Sequence, residues 1–148
     1  MIPKSDTMDS SEITVRQAPP FRYLDGIGEW DEALSEMTGW VYLQPSERRL
    51  YSASASSVLL IEALAQLSGV LLRKRTGGGN NAGGVLSTID KAQFTATQLS
   101  QSGIFLRTRI TRDAFPYFVL EGTAKQDGRL LAACVLSVRS VEKQEARQ

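Results

Sequence analysis

The chain has 148 residues, 42% hydrophobic and 22% charged, which is the composition of one soluble globular domain. Seventeen Lys and Arg against sixteen Asp and Glu leave a net charge of +1, without the concentrated basic excess of a nucleic-acid-binding domain. Histidine is absent and Cys134 is the single cysteine. Within one chain this excludes histidine-based triads, Cys–His pairs, histidine-ligated zinc, disulfides and multi-cysteine clusters, and no metal or cofactor is expected. The start of the chain has neither the basic residues nor the apolar stretch of a signal peptide, so a cytoplasmic protein is expected.

In chain order, residues 1–17 are rich in Ser, Asp, Thr and Lys without periodicity and read as a mobile tail. A single domain is expected over 18–141, and a frayed charged tail over 142–148. Asp31–Met37 reads as a short helix and Trp40–Leu43 as a strand, between Gly39 and Pro45. A central helix is expected from about Ser57 to Arg75, capped by Ser56 or Ser57, with Arg73, Lys74 and Arg75 at the negative end of its dipole. Val58, Leu59, Leu60, Ile61, Leu64, Leu67, Val70, Leu71 and Leu72 make it apolar on nearly every side, the pattern of a helix surrounded by protein. It is no membrane span: Glu62, Gln66 and Ser68 interrupt an apolar run already shorter than the ~20 residues a span needs.

The glycine-rich Thr76–Gly84 reads as a flexible loop, since its glycines follow the helix and lack the Gly-Lys-Ser/Thr ending of a phosphate loop. Val85–Ile89 is a strand candidate. From Ile104 to Arg112 the residues alternate apolar and polar, as in a half-buried strand. Phe115–Gln126 and Arg129–Arg139 flank Asp127-Gly128, a two-residue hairpin signal. One long helix against an antiparallel meander predicts an α+β domain with the sheet wrapped around the helix.

Glu62 is the residue most suggestive of chemistry, because a carboxylate among apolar neighbours is either held by hydrogen bonds or raised in pKa towards general acid–base use. Helical spacing puts Gln66 and Gly69 on its face and Arg73 further along. Arg107 and Arg109 share one strand face and read either as solvated charges or as a contact for an acidic carrier protein or a phosphate. Asp90 reads as a turn anchor, Cys134 as packing, and Trp30, Trp40, Tyr42 and Phe94 as core or interface.

Ile61-Glu62-Ala63-Leu64-Ala65-Gln66 and the later Ile89-Asp90-Lys91-Ala92-Gln93-Phe94 resemble the FabZ-type 3-hydroxyacyl-acyl-carrier-protein dehydratases. Phe21–Ile27 is similar to that family's opening strand region, and Glu121–Gly128 to its late hairpin. The resemblance covers roughly residues 20–138. It implies the hotdog fold, an antiparallel sheet around one long helix, in a dimer whose composite site joins a helix glutamate to a histidine of the other protomer. Glu62 matches the glutamate. The histidine has no match: Arg48 falls at its position, and a guanidinium is no base.

The resemblance implies Glu62 as the catalytic residue and Ser57, Val58, Gln66, Ile89 and Phe94 as the substrate-binding set. Amides near Ser57 and Val58 are expected at the helix start, where they would polarise a thioester carbonyl. The partners implied are an acyl thioester on acyl carrier protein or coenzyme A and a second hotdog chain, identical or different. Three functions remain open from sequence: a dehydratase-like protein that is inactive alone or dependent on a histidine-bearing partner, a hotdog thioesterase using Glu62, and a non-catalytic scaffold subunit.

Overall fold

Period-two alternation builds most of the sheet. In the computed structural model, which describes residues 24–42, 53–77, 82–95 and 102–142, three long strands follow the alternating segments: β4 (Ile104–Ala114), β5 (Tyr117–Gln126) and β6 (Arg129–Glu142). The expected N-terminal tail lies outside the described residues, as do 143–148. Before these strands come β1 (Gly26–Asp31), β2 (Glu36–Val41), helix α1 (Ala53–Thr76) and β3 (Ala82–Phe94). The six strands form one antiparallel sheet in the order β1-β2-β4-β5-β6-β3.

The β5–β6 turn is the two-residue loop expected of Asp127-Gly128. Both residues have positive φ, 51° and 76°, and Gln126 pairs with Arg129 across them. This left-handed pair matches the twist of the strands it joins, and glycine adopts it without a Cβ penalty.

The inner faces of the strands close on the helix. Met37, Ile104, Leu106, Phe118, Leu120, Ala124, Ala132, Leu136 and Val138 face Leu60, Leu64, Leu67, Val70 and Leu71 in one buried cluster. Leu64, Leu67 and Leu71 are fully buried, worth about 1.5–3 kcal/mol each. Gly122 of β5 lets the helix approach: a Cβ there would lie 3.3 Å from Leu64. Inside this apolar volume Ser68 Oγ and Thr108 Oγ1 are hydrogen-bonded at 2.8 Å, both residues at 0% exposure.

Three expectations change. Asp31–Met37 is not a helix: Asp31 ends β1, and the Asp31 carboxylate accepts the Leu34 amide at 3.0 Å in a tight turn that closes on Ser35, at φ 50°. Glu36 and Met37 then join β2, in register with Arg109 and Thr108 of β4. Seven residues would bury little as an isolated helix turn, whereas the pairing to β4 satisfies their backbone.

Secondly, the helix begins at Ala53, a turn before the expected start. Ser56 and Ser57 are therefore helical residues and not caps. The far end is as expected, with Arg73, Lys74 and Arg75 in the last turn. Gly77 there adopts φ 65° and its amide reaches the Lys74 carbonyl at 3.4 Å, a glycine helix stop.

Thirdly, the helix is not enclosed all round. Val58 is 70% exposed, and Glu62, Ala65, Gly69 and Arg73 are only half-buried. These positions fall within an arc of about 80° at 100° per residue, so the sheet wraps the helix except along one stripe. Among the described residues no helix is long and apolar enough to cross a membrane.

Candidate functional site

The open stripe of α1 borders strand β3. Leu72 on the helix abuts Gly84 on β3, where a Cβ would stand 3.3 Å from its side chain.

Strand β3 is the end strand of the sheet, and every described side chain on it from Gly84 to Phe94 is exposed. Val85 (54%), Leu86 (38%), Ile89 (49%) and Phe94 (45%) leave apolar surface along this free edge. Such an edge is ready for pairing unless something covers it.

Of the expected site residues, Val58 is exposed on the helix, Ile89 and Phe94 are exposed on β3, and Glu62 is half-buried on the open stripe. Among the described residues the Glu62 carboxylate has neither a hydrogen-bond partner nor an ion pair. Rotation of the helix sets this. Ser68 is held into the core by Thr108, and Glu62 lies about 120° round the helix from Ser68, hence on the open side.

The other expected site residues distribute differently. Gln66 is buried at 6% exposure and has an interaction of its own. The backbone amides of Ser57 and Val58 are not at the helix start. Four helical residues precede Ser57, so these two amides fall where carbonyls four residues back engage them, and they are not available to polarise a thioester carbonyl. Free amides belong instead to the first turn, at Ala53–Ala55.

Arg107 and Arg109 do share the outer face of β4, but not as a bare basic patch. Arg107 Nε donates to Glu36 Oε1 at 2.9 Å and its guanidinium lies 6.0 Å from the Phe105 ring centre. Arg109 sits in register between Glu36 on β2 and Glu121 on β5. Charge alternates across the sheet, which favours the solvated reading.

Asp90 anchors a bulge rather than a turn. It accepts hydrogen bonds from Ser137 Oγ at 2.6 Å and Thr88 Oγ1 at 2.7 Å, and sits within the second of two register slips in the β3–β6 pairing, between Ile89 and Lys91. These hydroxyl donors, Ser137 foremost, hold its pKa below the ordinary value. Cys134 lies buried under Gly122, and burial pushes its thiol up to about 11. It is a packing residue, as expected. Trp40 is also core, at 7% exposure.

Sequence reasoning missed the Ser68–Thr108 bond and the openness of the Val58 stripe. A signal existed for the second: Ala65 and Gly69, four residues apart on the Glu62 face, are too small to fill a core layer alone.

The sequence matches no family model and no curated protein. Solved structures do match the architecture. A dehydratase heterocomplex from Xenorhabdus doucetiae superposes with TM-score 0.66 at 16% identity, over 86% of this chain and 88% of that one. A hot-dog-like protein from Thermanaerovibrio acidaminovorans gives 0.58 at 12%, over 72% and 81%. The fold is the hotdog. A hypothetical thioesterase from Streptococcus pneumoniae, solved with coenzyme A, shares the hotdog architecture at TM-score 0.60 and 10% identity, over 80% of this chain and 87% of that one. At such identities the likeness is one of fold. Hotdog neighbours thus include both dehydratase and thioesterase proteins, and among the described residues this chain has one helix against six antiparallel strands.

Proposed function

We propose that this chain binds acyl thioesters of the fatty-acid or polyketide kind, in a dehydratase-like site that Glu62 begins and a second hotdog chain completes. The observation that carries the reading is the Glu62 carboxylate itself. It is half-buried on the open stripe of the central helix, one turn from the exposed Val58, without a side-chain partner among the described residues.

Dehydration of a 3-hydroxyacyl thioester removes a proton from the α-carbon and the hydroxyl from the β-carbon, giving an enoyl thioester and water. A base takes the first proton and an acid protonates the departing hydroxyl. Glu62 is suited to the acid role. The base is missing from a chain without histidine, and Arg, always protonated, does not supply it. A histidine-bearing hotdog partner, placed along the open stripe, would bring base and acid to one substrate. The dehydratase heterocomplex among the structural neighbours is consistent with this division of labour.

A second reading rests on the same openness. Hydrolysis of a thioester needs only a carboxylate to activate water or to attack the carbonyl, so Glu62 alone would serve. The thioesterase neighbour solved with coenzyme A is compatible with it. The two readings separate in one assay: the purified chain is incubated with 3-hydroxyacyl thioesters of coenzyme A and of acyl carrier protein, with and without a histidine-bearing hotdog protein. Enoyl product only in the mixture supports the dehydratase-like reading. Free thiol from the chain alone supports the thioesterase, and neither product under either condition refutes both.

A further inference from the structure

Where α1 ends, aromatic and basic side chains gather around the β4–β5 turn. Phe115 is 69% and Tyr117 54% exposed, the two most exposed aromatic side chains among the described residues. The turn that carries them is tied down. The Phe115 ring meets the buried Phe118 ring edge-on at 6.3 Å, and the Ser140 amide of β6 donates to the Pro116 carbonyl at 2.6 Å. Two rings are therefore held outward into water, which is unfavourable unless something covers them.

The cations around them come from three elements. Arg75, on the last turn of α1, reaches Asp113 of β4 at 3.5 Å, which brings the helix end and its exposed Lys74 beside the turn. Across the sheet, Tyr117 lies opposite Arg139 of β6. It also lies opposite Ala114 of β4, two residues from Arg112, so Arg112 is its diagonal neighbour. Residues 73–77 and 111–118 hold four Lys and Arg against the one carboxylate of Asp113, and Arg139 adds a fifth cation, in a chain whose net charge is only +1. Lys74, Arg112 and Arg139 are exposed and have no ion pair among the described residues.

We infer that this end of the molecule docks on an anionic lipid bilayer, with Phe115 and Tyr117 entering the interface and the cations meeting phosphate headgroups. Cations alone would suit any polyanion. The arrangement favours a bilayer: the rings stand at the turn, the outlying part of the β4–β5 hairpin, and the charges lie beside and behind them. A bilayer offers the matching order, an anionic headgroup layer over hydrocarbon, and aromatic rings collect at that boundary. Among the described residues no helix is long and apolar enough to cross a membrane, so the contact is peripheral. Thirteen helical positions, about 20 Å, separate Arg75 from Glu62. Docking thus engages a different part of the molecule from the candidate site and does not rest on the proposed function.

Flotation of the full chain with vesicles tests this. The chain is expected to float with phosphatidylcholine vesicles containing about one-third phosphatidylglycerol, to stay behind with pure phosphatidylcholine, and to be released by high salt. Phe115→Ser is expected to weaken binding about tenfold, and Lys74→Glu combined with Arg112→Glu by more than that, each with a melting temperature near that of the wild type. Phe115→Trp keeps a ring and reports its surroundings. Its emission, less that of the wild type with Trp30 and Trp40, is expected to shift to the blue when anionic vesicles are added and not with neutral ones. Absence of flotation, equal binding to neutral vesicles, a Phe115→Ser protein that binds as the wild type does, or an unshifted Phe115→Trp emission would overturn the inference. Equal affinity for polyglutamate or a single-stranded oligonucleotide would overturn it too, as the mark of a general polyanion surface.

Discussion

Replacing Ser68 by Ala removes one half of a hydrogen bond that lies wholly inside the core. The Thr108 hydroxyl, at 0% exposure and 2.8 Å from Ser68 Oγ, would then have no water to turn to. A stranded buried hydroxyl costs about 1–3 kcal/mol, and for a chain of this length each kcal/mol lowers the melting temperature by about 2–4 °C. Thr108→Val is expected to be milder, near 1 kcal/mol, because a helical Ser68 hydroxyl can fold back onto the Leu64 carbonyl one turn earlier. The double variant places two apolar groups face to face and is expected to lose no more than Ser68→Ala alone, a coupling of about 1–2 kcal/mol. Urea denaturation of the four proteins, with equal slopes, measures it. Losses that simply add, to within about 0.3–0.5 kcal/mol, would show that the pair does not pin the helix and that the orientation of Glu62 needs another cause.

Two further outcomes follow from the titrating groups. Asp90 has a folded pKa below its ordinary value of 3.8, so its hydrogen bonds to Ser137 and Thr88 favour the folded state above that pH and cease to do so as pH falls through the depressed value. Asp90→Asn is expected to flatten the loss of stability below about pH 4, and an unchanged acid limb in chemical unfolding would contradict this. Cys134, with its thiol pushed up to about 11, is protonated at pH 8 and buried, so it should react with a thiol reagent only once denaturant opens the fold; prompt labelling of the native protein would contradict its place in the core.

The later strands were legible because their chemistry is local and periodic. Ile104, Leu106 and Thr108 alternate with Phe105, Arg107 and Arg109, and Asp127-Gly128 names its own turn. Strand β1 and the start of β2 were not, although Trp40 and Val41 read as strand, because six-residue strands around an acidic turn carry too few alternations to outweigh the helix-like run Asp31–Met37, and the pairing of β2 to β4 is made far along the chain. The helix start slipped by a turn since small polar residues such as Ser56 and Ser57 serve as caps or as helical positions alike. Glu62 stood out as a carboxylate in an apolar run. The exposure of Val58 did not, because an apolar residue on an open face and one in a core are written the same way. Ser68 was legible only as an interruption, since its partner Thr108 is set by the packing of helix on sheet.

The most direct test of the account is the rate of 3-hydroxyacyl-thioester dehydration by this chain assembled with a histidine-bearing hotdog partner, with Glu62 intact and as Glu62→Gln. Half-exposure of Glu62 means the substitution should alter stability by no more than about 0.5 kcal/mol, so the comparison reads chemistry. The account predicts no dehydration by this chain alone, activity in the assembly, and a loss of about 100-fold or more on Glu62→Gln, the scale of a lost general acid. Dehydration by the pure chain, or an assembly whose Glu62→Gln form works as fast as the original, would contradict it.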